Sequence, residues 1–179
     1  MRKLKIIGIG LAAAFALFTA GGFLLPSTMH VERSIVVDAA PEDIYPLISD
    51  FERGWSRWNP FVDEDMEVTY AGSESGVGAQ QRWVYDDGDG TMTITEADPA
   101  RGVEFDLVMM QESFRIEGSL LCERTQGGTK LTWTDEMDIG GNPYSRYMAL
   151  VIGASIGDHF EEGLATIKQV AEGDRVAQR

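Results

Sequence analysis

Between residues 68 and 137, apolar side chains recur at every second position, and this alternation constrains the fold more than any other feature. A period of two is the pattern of a β-strand with one buried face. Turn-like sequences at 86–90, 98–102 and 126–128 separate the segments. Short spacers between alternating strands favour hairpins, so we predict a meandering antiparallel sheet with one apolar face. The alternating residues are Val68, Tyr70, Trp83, Tyr85, Met92, Ile94, Val103, Phe105, Leu107, Met109, Phe114, Ile116, Leu120, Cys122, Leu131, Trp133 and Met137.

One long helix is predicted after the sheet, over about 30 residues from 142 to 173. Asn142 is a favourable N-cap, and Pro143 is a favourable first helical residue. Such a helix is about 45 Å long if it is unbroken. We expect Gly153, Gly157 and Gly163 to weaken it or to allow a bend. Its predicted apolar stripe consists of Tyr144, Met148, Ile152, Ser155, His159, Phe160, Leu164 and Ile167.

The residues before the alternating region predict one further strand and two short helices. A strand is predicted over 30–38, where Val31 and Val37 are β-branched. Pro41 followed by two acidic residues predicts a helix start, and the aromatic segment 55–60 predicts a second short helix or a turn. Only the C-terminal helix is long enough to cover the apolar face of the sheet. We therefore predict an α+β fold in which a seven-stranded antiparallel sheet wraps on that helix.

The N-terminus combines a basic start with a long apolar run. Three of the first five residues are basic, and residues 6–25 contain no charged side chain. Twenty helical residues span about 30 Å, the thickness of the hydrocarbon core of a bilayer. We predict that residues 1–26 form a retained membrane anchor and that residues 27–179 form one domain outside the cytoplasm. A cleaved signal peptide followed by secretion is the alternative, because the small residues at 20–22 would suit a cleavage site.

The composition argues against nucleic acid or a metal as a partner. The three basic residues near the N-terminus contribute +3 to the net charge of −14, so the rest of the chain carries −17. Such a surface is repelled by phosphate backbones. Cys122 is the only cysteine, and His30 and His159 are isolated in the sequence, so we expect neither an internal disulfide nor a metal site. We predict no cofactor, and a domain of about 150 residues that folds as a monomer.

Several segments, taken in order, resemble the START-like or SRPBCC superfamily of birch-pollen allergens, lipid-transfer domains and polyketide cyclases. The segments that carry the resemblance include 31–35 (VERSI), 40–45 (APEDIY), 55–61 (WSRWNPF), 90–96 (GTMTITE) and 128–134 (GTKLTWT). They are most similar to the bacterial membrane-anchored members known as polyketide cyclase/dehydrase and lipid-transport proteins. The resemblance implies a helix-grip fold, in which a curved sheet and the last helix enclose a cavity.

The resemblance also implies that inward side chains of the strands and of the last helix line this cavity and bind a small hydrophobic molecule. Methionines suit such a wall, because a flexible and polarizable side chain adapts to several ligands. The alternative is that the same side chains form a packed core. The candidate ligand-binding residues are Trp83, Tyr85, Phe105, Leu107, Met109, Phe114, Ile116, Trp133, Met148, Ile152 and Phe160.

Two carboxylates and one histidine are candidates for acid–base catalysis. Glu96 shares the parity of Ile94, and Asp135 shares that of Trp133, where relatives usually carry an apolar residue. Two buried carboxylates, or one beside His159, would form an acid–base site with shifted pKa values. We favour the alternative, in which a bulge or a strand end turns the carboxylates to water and His159 is a packed core histidine.

Three functions remain open from the sequence. The favoured one is non-catalytic binding or carriage of a small hydrophobic molecule such as a lipid, a quinone or a polyketide-like compound. The second is an enzyme that cyclises or dehydrates such a compound, and the third is regulation of a protein partner, as in chaperone activators of similar fold. The sequence contains no G-x-S-x-G elbow, phosphate loop or H-E-x-x-H motif. Because no clear acid–base set is present, binding is favoured over catalysis.

Overall fold

The computed structural model of the protein describes residues 2–61, 65–85, 88–110 and 113–177. An N-terminal helix is followed by a strand, a short helix, a single 3-10 turn at Trp55–Arg57, six strands and a long helix. The elements are α1 (Arg2–Leu24), β1 (Thr28–Val37), α2 (Pro41–Ser49), β2 (Glu67–Gly72), β3 (Ala79–Tyr85), β4 (Gly88–Asp98), β5 (Gly102–Met109), β6 (Phe114–Thr125), β7 (Gly128–Asp138) and α3 (Pro143–Ala177).

The seven strands form one antiparallel sheet in the order β1-β7-β6-β5-β4-β3-β2. Strands β2 to β7 follow one another as a meander, and β1 pairs with β7 at the far edge, with Thr28 opposite Asp138. This arrangement confirms the predicted fold of a curved seven-stranded sheet with short helices after the first strand and one long C-terminal helix. The predicted second short helix is the 3-10 turn.

The predicted parities match the inward face of the sheet. Side chains of α2 and of the C-terminal half of α3 pack on this face and close the core. Burial of such apolar surface contributes roughly 25 cal/mol per Å² to stability. The core includes Ile44, Leu47, Ile48, Ile94, Val103, Phe105, Leu120, Leu131, Trp133, Phe160, Leu164 and Ile167.

The predicted apolar stripe of α3 is correct only in its C-terminal half. Phe160, Leu164 and Ile167 are buried, whereas Met148 and Ile152 are 58% and 46% exposed. In the N-terminal half of α3, Gly153 and Gly157 face β1, while Ala149 and Ile156 pack against the core.

Glycines explain this difference, because they lie where α3 approaches β1 most closely. A Cβ atom at Gly153 would contact the side chains of Met29 and Val31, and one at Gly157 would overlap the guanidinium of Arg33. That guanidinium crosses the helix and pairs with Glu161 at 2.7 Å. The glycines that we expected to weaken or bend the helix therefore permit its close packing on β1.

Helix α1 packs against the first turn of α3. The rings of Phe18 and Tyr147 stack with centroids 4.3 Å apart, and Tyr147 Oη donates to Phe18 O at 2.9 Å. Arg146 Nη1 donates to Phe23 O and Leu25 O at 3.2 and 2.9 Å. Carbonyl groups at the end of a helix have no partner within the helix, so Arg146 caps α1 and fixes its position.

The β6–β7 hairpin offers a direct test of the backbone. Gly128 has φ +123°, and a Cβ atom there would collide with Val37 O, whereas a Cβ atom at Gly127, one residue earlier, would make only an ordinary contact with Val36 Cγ1 at 4.0 Å. We expect Gly128→Ala to lower the free energy of unfolding by about 2 kcal/mol or more. The control Gly127→Ala should change it by less than about 0.5 kcal/mol. Denaturant melts followed by tryptophan fluorescence measure both values, and equal effects of the two variants would contradict this account.

Candidate ligand-binding cavity

A cavity of about 410 Å³ lies over the inward face of β3 to β7. Pockets for small molecules commonly range from about 300 to 1,000 Å³ and are mostly apolar. Its wall combines strand side chains with the segment around the 3-10 turn and one residue of α3. The lining residues are Trp55, Asn59, Phe61, Asp65, Met66, Gln81, Trp83, Tyr85, Met92, Leu107, Met109, Ile116, Trp133, Asp135 and Ile156.

Six of the eleven candidate ligand-binding residues line this cavity. They come from β3, β5, β6 and β7, and the sheet register brings them together through β4: Leu107 lies opposite Ile116 of β6 and Met92 of β4. Their role in binding a ligand remains a prediction. The six are Trp83, Tyr85, Leu107, Met109, Ile116 and Trp133.

The other five candidates do not line the cavity. Phe105 and Phe160 are fully buried in the packed core beneath it. Phe114 is 43% exposed because it begins β6, where only Met109 lies opposite it in the hairpin. Met148 and Ile152 lie on the outward side of α3 for the reason given above. Of the four residues that we expected to converge on one cavity, Trp133 lines it, whereas Phe105, Phe114 and Ile152 do not.

Several lining residues were missed from the sequence. Gln81 shares the parity of Trp83, and Met92 shares that of Ile94, so alternation already marked both as inward. Trp55 and Phe61 reach the cavity from the segment that follows α2. Sequence alternation carries no information on such a segment, because it is not a strand.

Trp133 forms the floor of the cavity. Its indole stacks on Phe160 of α3 with centroids 4.0 Å apart and planes 8° from parallel. Trp58 and Phe61 meet the same indole edge-on at 5.3 and 6.1 Å. Edge-to-face and offset-stacked rings are the favoured aromatic arrangements, so this floor is held rigidly between the sheet and α3.

Asp135 is the buried carboxylate of the cavity wall. It lies on β7 between Val31 of β1 and Gly118 of β6, and it is 9% exposed. A Cβ atom at position 118 would lie 2.6 Å from Asp135 Oδ1 and still closer to the Phe105 ring. The glycine thus leaves the space that the carboxyl group occupies. Its inward position agrees with the strand parity, so the alternative that we favoured, in which a strand end turns Asp135 to water, was wrong for this residue.

Burial raises the pKa of Asp135 from 3.8 to about 7, because a charged carboxylate loses its hydration there. The indole of Trp133 opposes this rise in the pKa only in part. The two groups do not reach hydrogen-bond geometry, and Trp133 Nε1 and Asp135 Oδ1 have no hydrogen-bond partner among the described residues.

The three acid–base candidates do not come together. Glu96 is exposed beyond a register shift between Ile94 and Glu96, so a bulge breaks the alternation there, as we had favoured. His159 lies outside the cavity wall, where its ring stacks on Phe61 at 5.2 Å and its Nδ1 is 2.8 Å from Ser155 O. In the part of the chain that the structure describes, no group of three or more His, Cys, Asp or Glu side chains is placed to hold a metal ion.

The fold and cavity define a helix-grip protein of the SRPBCC type, a class of hydrophobic-ligand-binding folds. Residues 28–172 match the family described as polyketide cyclase/dehydrase and lipid transport. The chain therefore belongs to this family, which confirms the resemblance. No curated protein matches the chain in sequence.

Solved structures agree with the fold. A protein of unknown function from Staphylococcus aureus is 14% identical with a TM-score of 0.64, and the match covers 85% of this chain and 97% of that one. The Zhui aromatase/cyclase from Streptomyces is 18% identical with a TM-score of 0.58, covering 81% and 94%. Ara h 8.0201 is 11% identical with a TM-score of 0.56, covering 82% and 99%. At these identities the likeness concerns the fold alone.

Asp135 should make the stability of the wild type depend on pH. Its pKa is higher in the folded chain than in the unfolded one, so stability is lost as the pH rises from about 4 through about 7. One pKa unit corresponds to about 1.4 kcal/mol, so the loss approaches roughly 4 kcal/mol. We expect Asp135→Asn to gain stability relative to the wild type over this range in denaturant melts at several pH values. Asp106→Asn, on the exposed side of β5, controls for the removal of one negative charge. The prediction would be contradicted if the free energies of unfolding of Asp135→Asn and the wild type differed by the same amount at every pH.

Proposed function

We propose that the protein binds and carries a small, mainly apolar molecule in the cavity over β3 to β7, within the class of lipids, quinones and polyketide-like compounds. The observation that carries the proposal is the cavity of about 410 Å³ with its aromatic and methionine wall. Leu107 and Met109 are only half-buried, although their parity places them on the core face. A ligand would cover apolar surface that the chain itself leaves uncovered, and this gain favours binding.

The arrangement of the acid–base candidates supports carriage over catalysis. Glu96 and His159 do not line the cavity, so Asp135 is the one candidate of the three in its wall. General acid–base catalysis needs a proton donor or acceptor within hydrogen-bond reach of the reacting group. Asp135 is the one candidate that a ligand in the cavity could reach, and its pKa of about 7 keeps an enzyme as the second candidate function. If the protein is a carrier, the Asp135→Asn variant should bind the ligand as well as the wild type does, whereas an acid–base enzyme with this substitution should lose about 100-fold or more in turnover.

We further propose that α1 is retained as a membrane anchor with the domain on the extracytoplasmic side. Among the described residues, α1 is the one helix long and apolar enough to cross a membrane, over Lys5–Leu24. Its contacts with α3 through Phe18, Thr19 and Arg146 support retention. Cleavage near residue 20 would remove the ring that stacks on Tyr147 and would leave part of this interface without a partner.

The outward face of α3 supports the same placement. Met148, Leu150, Val151 and Ile152 are between 46% and 69% exposed. From residue 139 to residue 157 the single charged side chain is Arg146, in a domain of high charge density. Exposed apolar patches of this kind mark interaction sites, and α1 packs directly beside this one. We propose that this face lies in the lipid interface, next to the entry point of α1.

A cavity-filling substitution tests ligand binding. We expect the Ile116→Trp variant of the full chain to copurify with less apolar compound than the wild type, by a factor of more than about ten. The indole ring of the new side chain would occupy the ligand space. Phe114→Trp is the matched control, since Phe114 lies two residues earlier on the same strand but outside the cavity. Solvent extraction and mass spectrometry give moles of compound per mole of protein. Equal yields from the two variants, or no bound compound in the wild type, would contradict the proposal.

Fluorescent labels test the membrane placement. In full chains with Cys122→Ser, a label at Val151→Cys should be quenched by nitroxide-bearing lipids, because it lies among acyl chains. A label at Gln169→Cys, exposed near the far end of α3, should not be quenched. The intact mass of the protein recovered from membranes reports whether α1 is retained. Equal quenching at both positions would contradict the placement of α3, and a mature chain that starts after residue 20 would contradict the retained anchor.

A further inference from the structure

Trp133 and Asp135 each bring one hydrogen-bonding side chain into the cavity wall. Both line the cavity, and they are 2% and 9% exposed. Trp133 Nε1 and Asp135 Oδ1 are buried and have no hydrogen-bond partner within the described ranges. Roughly 90% or more of buried polar groups in proteins have a partner, because leaving one unpaired costs about 1–3 kcal/mol. Trp133 Nε1 and Asp135 Oδ1 are therefore exceptions to this rule, and a bound ligand would give both atoms a partner.

The neighbouring indoles show that the fold can satisfy such groups. Trp55 Nε1 donates to Ile48 O at 2.7 Å, and Trp58 Nε1 donates to Leu47 O at 2.8 Å. Both acceptors are carbonyl groups in the last turn of α2, which lack a partner within the helix. Of these three packed indoles, Trp133 is thus the one whose N–H group has no hydrogen-bond partner among the described residues.

We propose that the ligand carries an uncharged oxygen, as a hydroxyl or a carbonyl group, that binds between Trp133 Nε1 and the carboxyl group of Asp135. This inference rests on the proposed function, because it specifies the molecule that the cavity binds. The indole can only donate, so its partner must be an acceptor. A protonated carboxyl group donates to a carbonyl oxygen, and either form of the carboxyl group accepts from a hydroxyl group.

The charges around the cavity favour an uncharged group over an ionised one. No Lys or Arg occurs among the lining residues that the structure describes, and Asp65 adds a second carboxylate at the exposed rim. A ligand carboxylate or phosphate would therefore have no cation to pair with, and burying an unpaired charge is costly. An ammonium group is disfavoured below neutral pH, because Asp135 is then mainly protonated.

Four probes with one carbon skeleton test the proposal. They are ethylnaphthalene, naphthylethanol, acetylnaphthalene and naphthylethylamine, all substituted at the same ring position. Calorimetric titration at pH 6 compares the wild-type full chain with Asp135→Leu and Asp135→Asn in the same detergent. Partition of each probe into micelles is equal for all variants and cancels in the comparison. Ile116→Trp is the control with a blocked cavity, and denaturant melts verify that each variant is folded.

We expect Asp135→Leu to weaken the binding of naphthylethanol and acetylnaphthalene by about 10- to 100-fold, because a hydrogen bond is lost. Ethylnaphthalene should bind this variant as well as the wild type, and Asp135→Asn should retain both oxygenated probes because its amide donates and accepts. If Asp135→Leu changed the affinity for all four probes by the same factor, the inference would be overturned, but the proposed binding function of the cavity would still stand. Tighter binding of the amine than of the alcohol would also overturn it. If the wild type binds none of the probes more than Ile116→Trp does, the proposed function itself fails.

Discussion

The stacking of Trp133 on Phe160 sets the distance between the sheet and α3. Gly163 permits it, since a Cβ atom there would lie 2.9 Å from the indole ring and 3.1 Å from Pro60. On one side of this contact, Leu164 and Ile167 of α3 continue over a packed core. On the other side α3 packs mainly along β1 and contributes one residue, Ile156, to the wall of the cavity. The cavity exists because α3 covers one edge of the sheet and leaves the opposite part open.

The same packing divides the wall into rigid and adaptable parts. The aromatic floor is held by ring contacts on several sides and by the N–H bonds of Trp55 and Trp58 to α2. Met92, Met109 and Met66 border the rest of the cavity, and their side chains change shape at low cost. A ligand that restored the missing contacts would bind the folded chain and not the unfolded one. Binding would therefore also stabilise the fold.

Alternation predicted the sheet and its inward face, because these follow from local periodicity alone. It also allowed an inward Asp135, but we favoured exposure to water because a buried carboxylate is uncommon. The same reasoning misplaced Met148 and Ile152, since helical spacing does not reveal which side of α3 meets β1. Gly153 and Gly157 mark the side of α3 that meets β1. In a sequence, however, a glycine is equally consistent with a helix breaker and with a site of close packing. Glu96 left the predicted face at a bulge, which periodicity cannot locate. The cavity segment near Phe61 depends on tertiary contacts and not on any repeat.

The sheet register relates the cavity to the proposed anchor. β1 begins at Thr28, four residues after α1 ends, and Val31 lies directly opposite Asp135. Three residues of strand extend only about 10 Å, so the polar pair of the cavity lies close to the end of the domain that carries α1. The exposed face of α3 begins at this same end. On the proposed placement, the cavity therefore lies near the bilayer surface, and an apolar ligand with one oxygen group can pass between lipid and protein over a short path. Such a path avoids the cost of transferring apolar surface through bulk water.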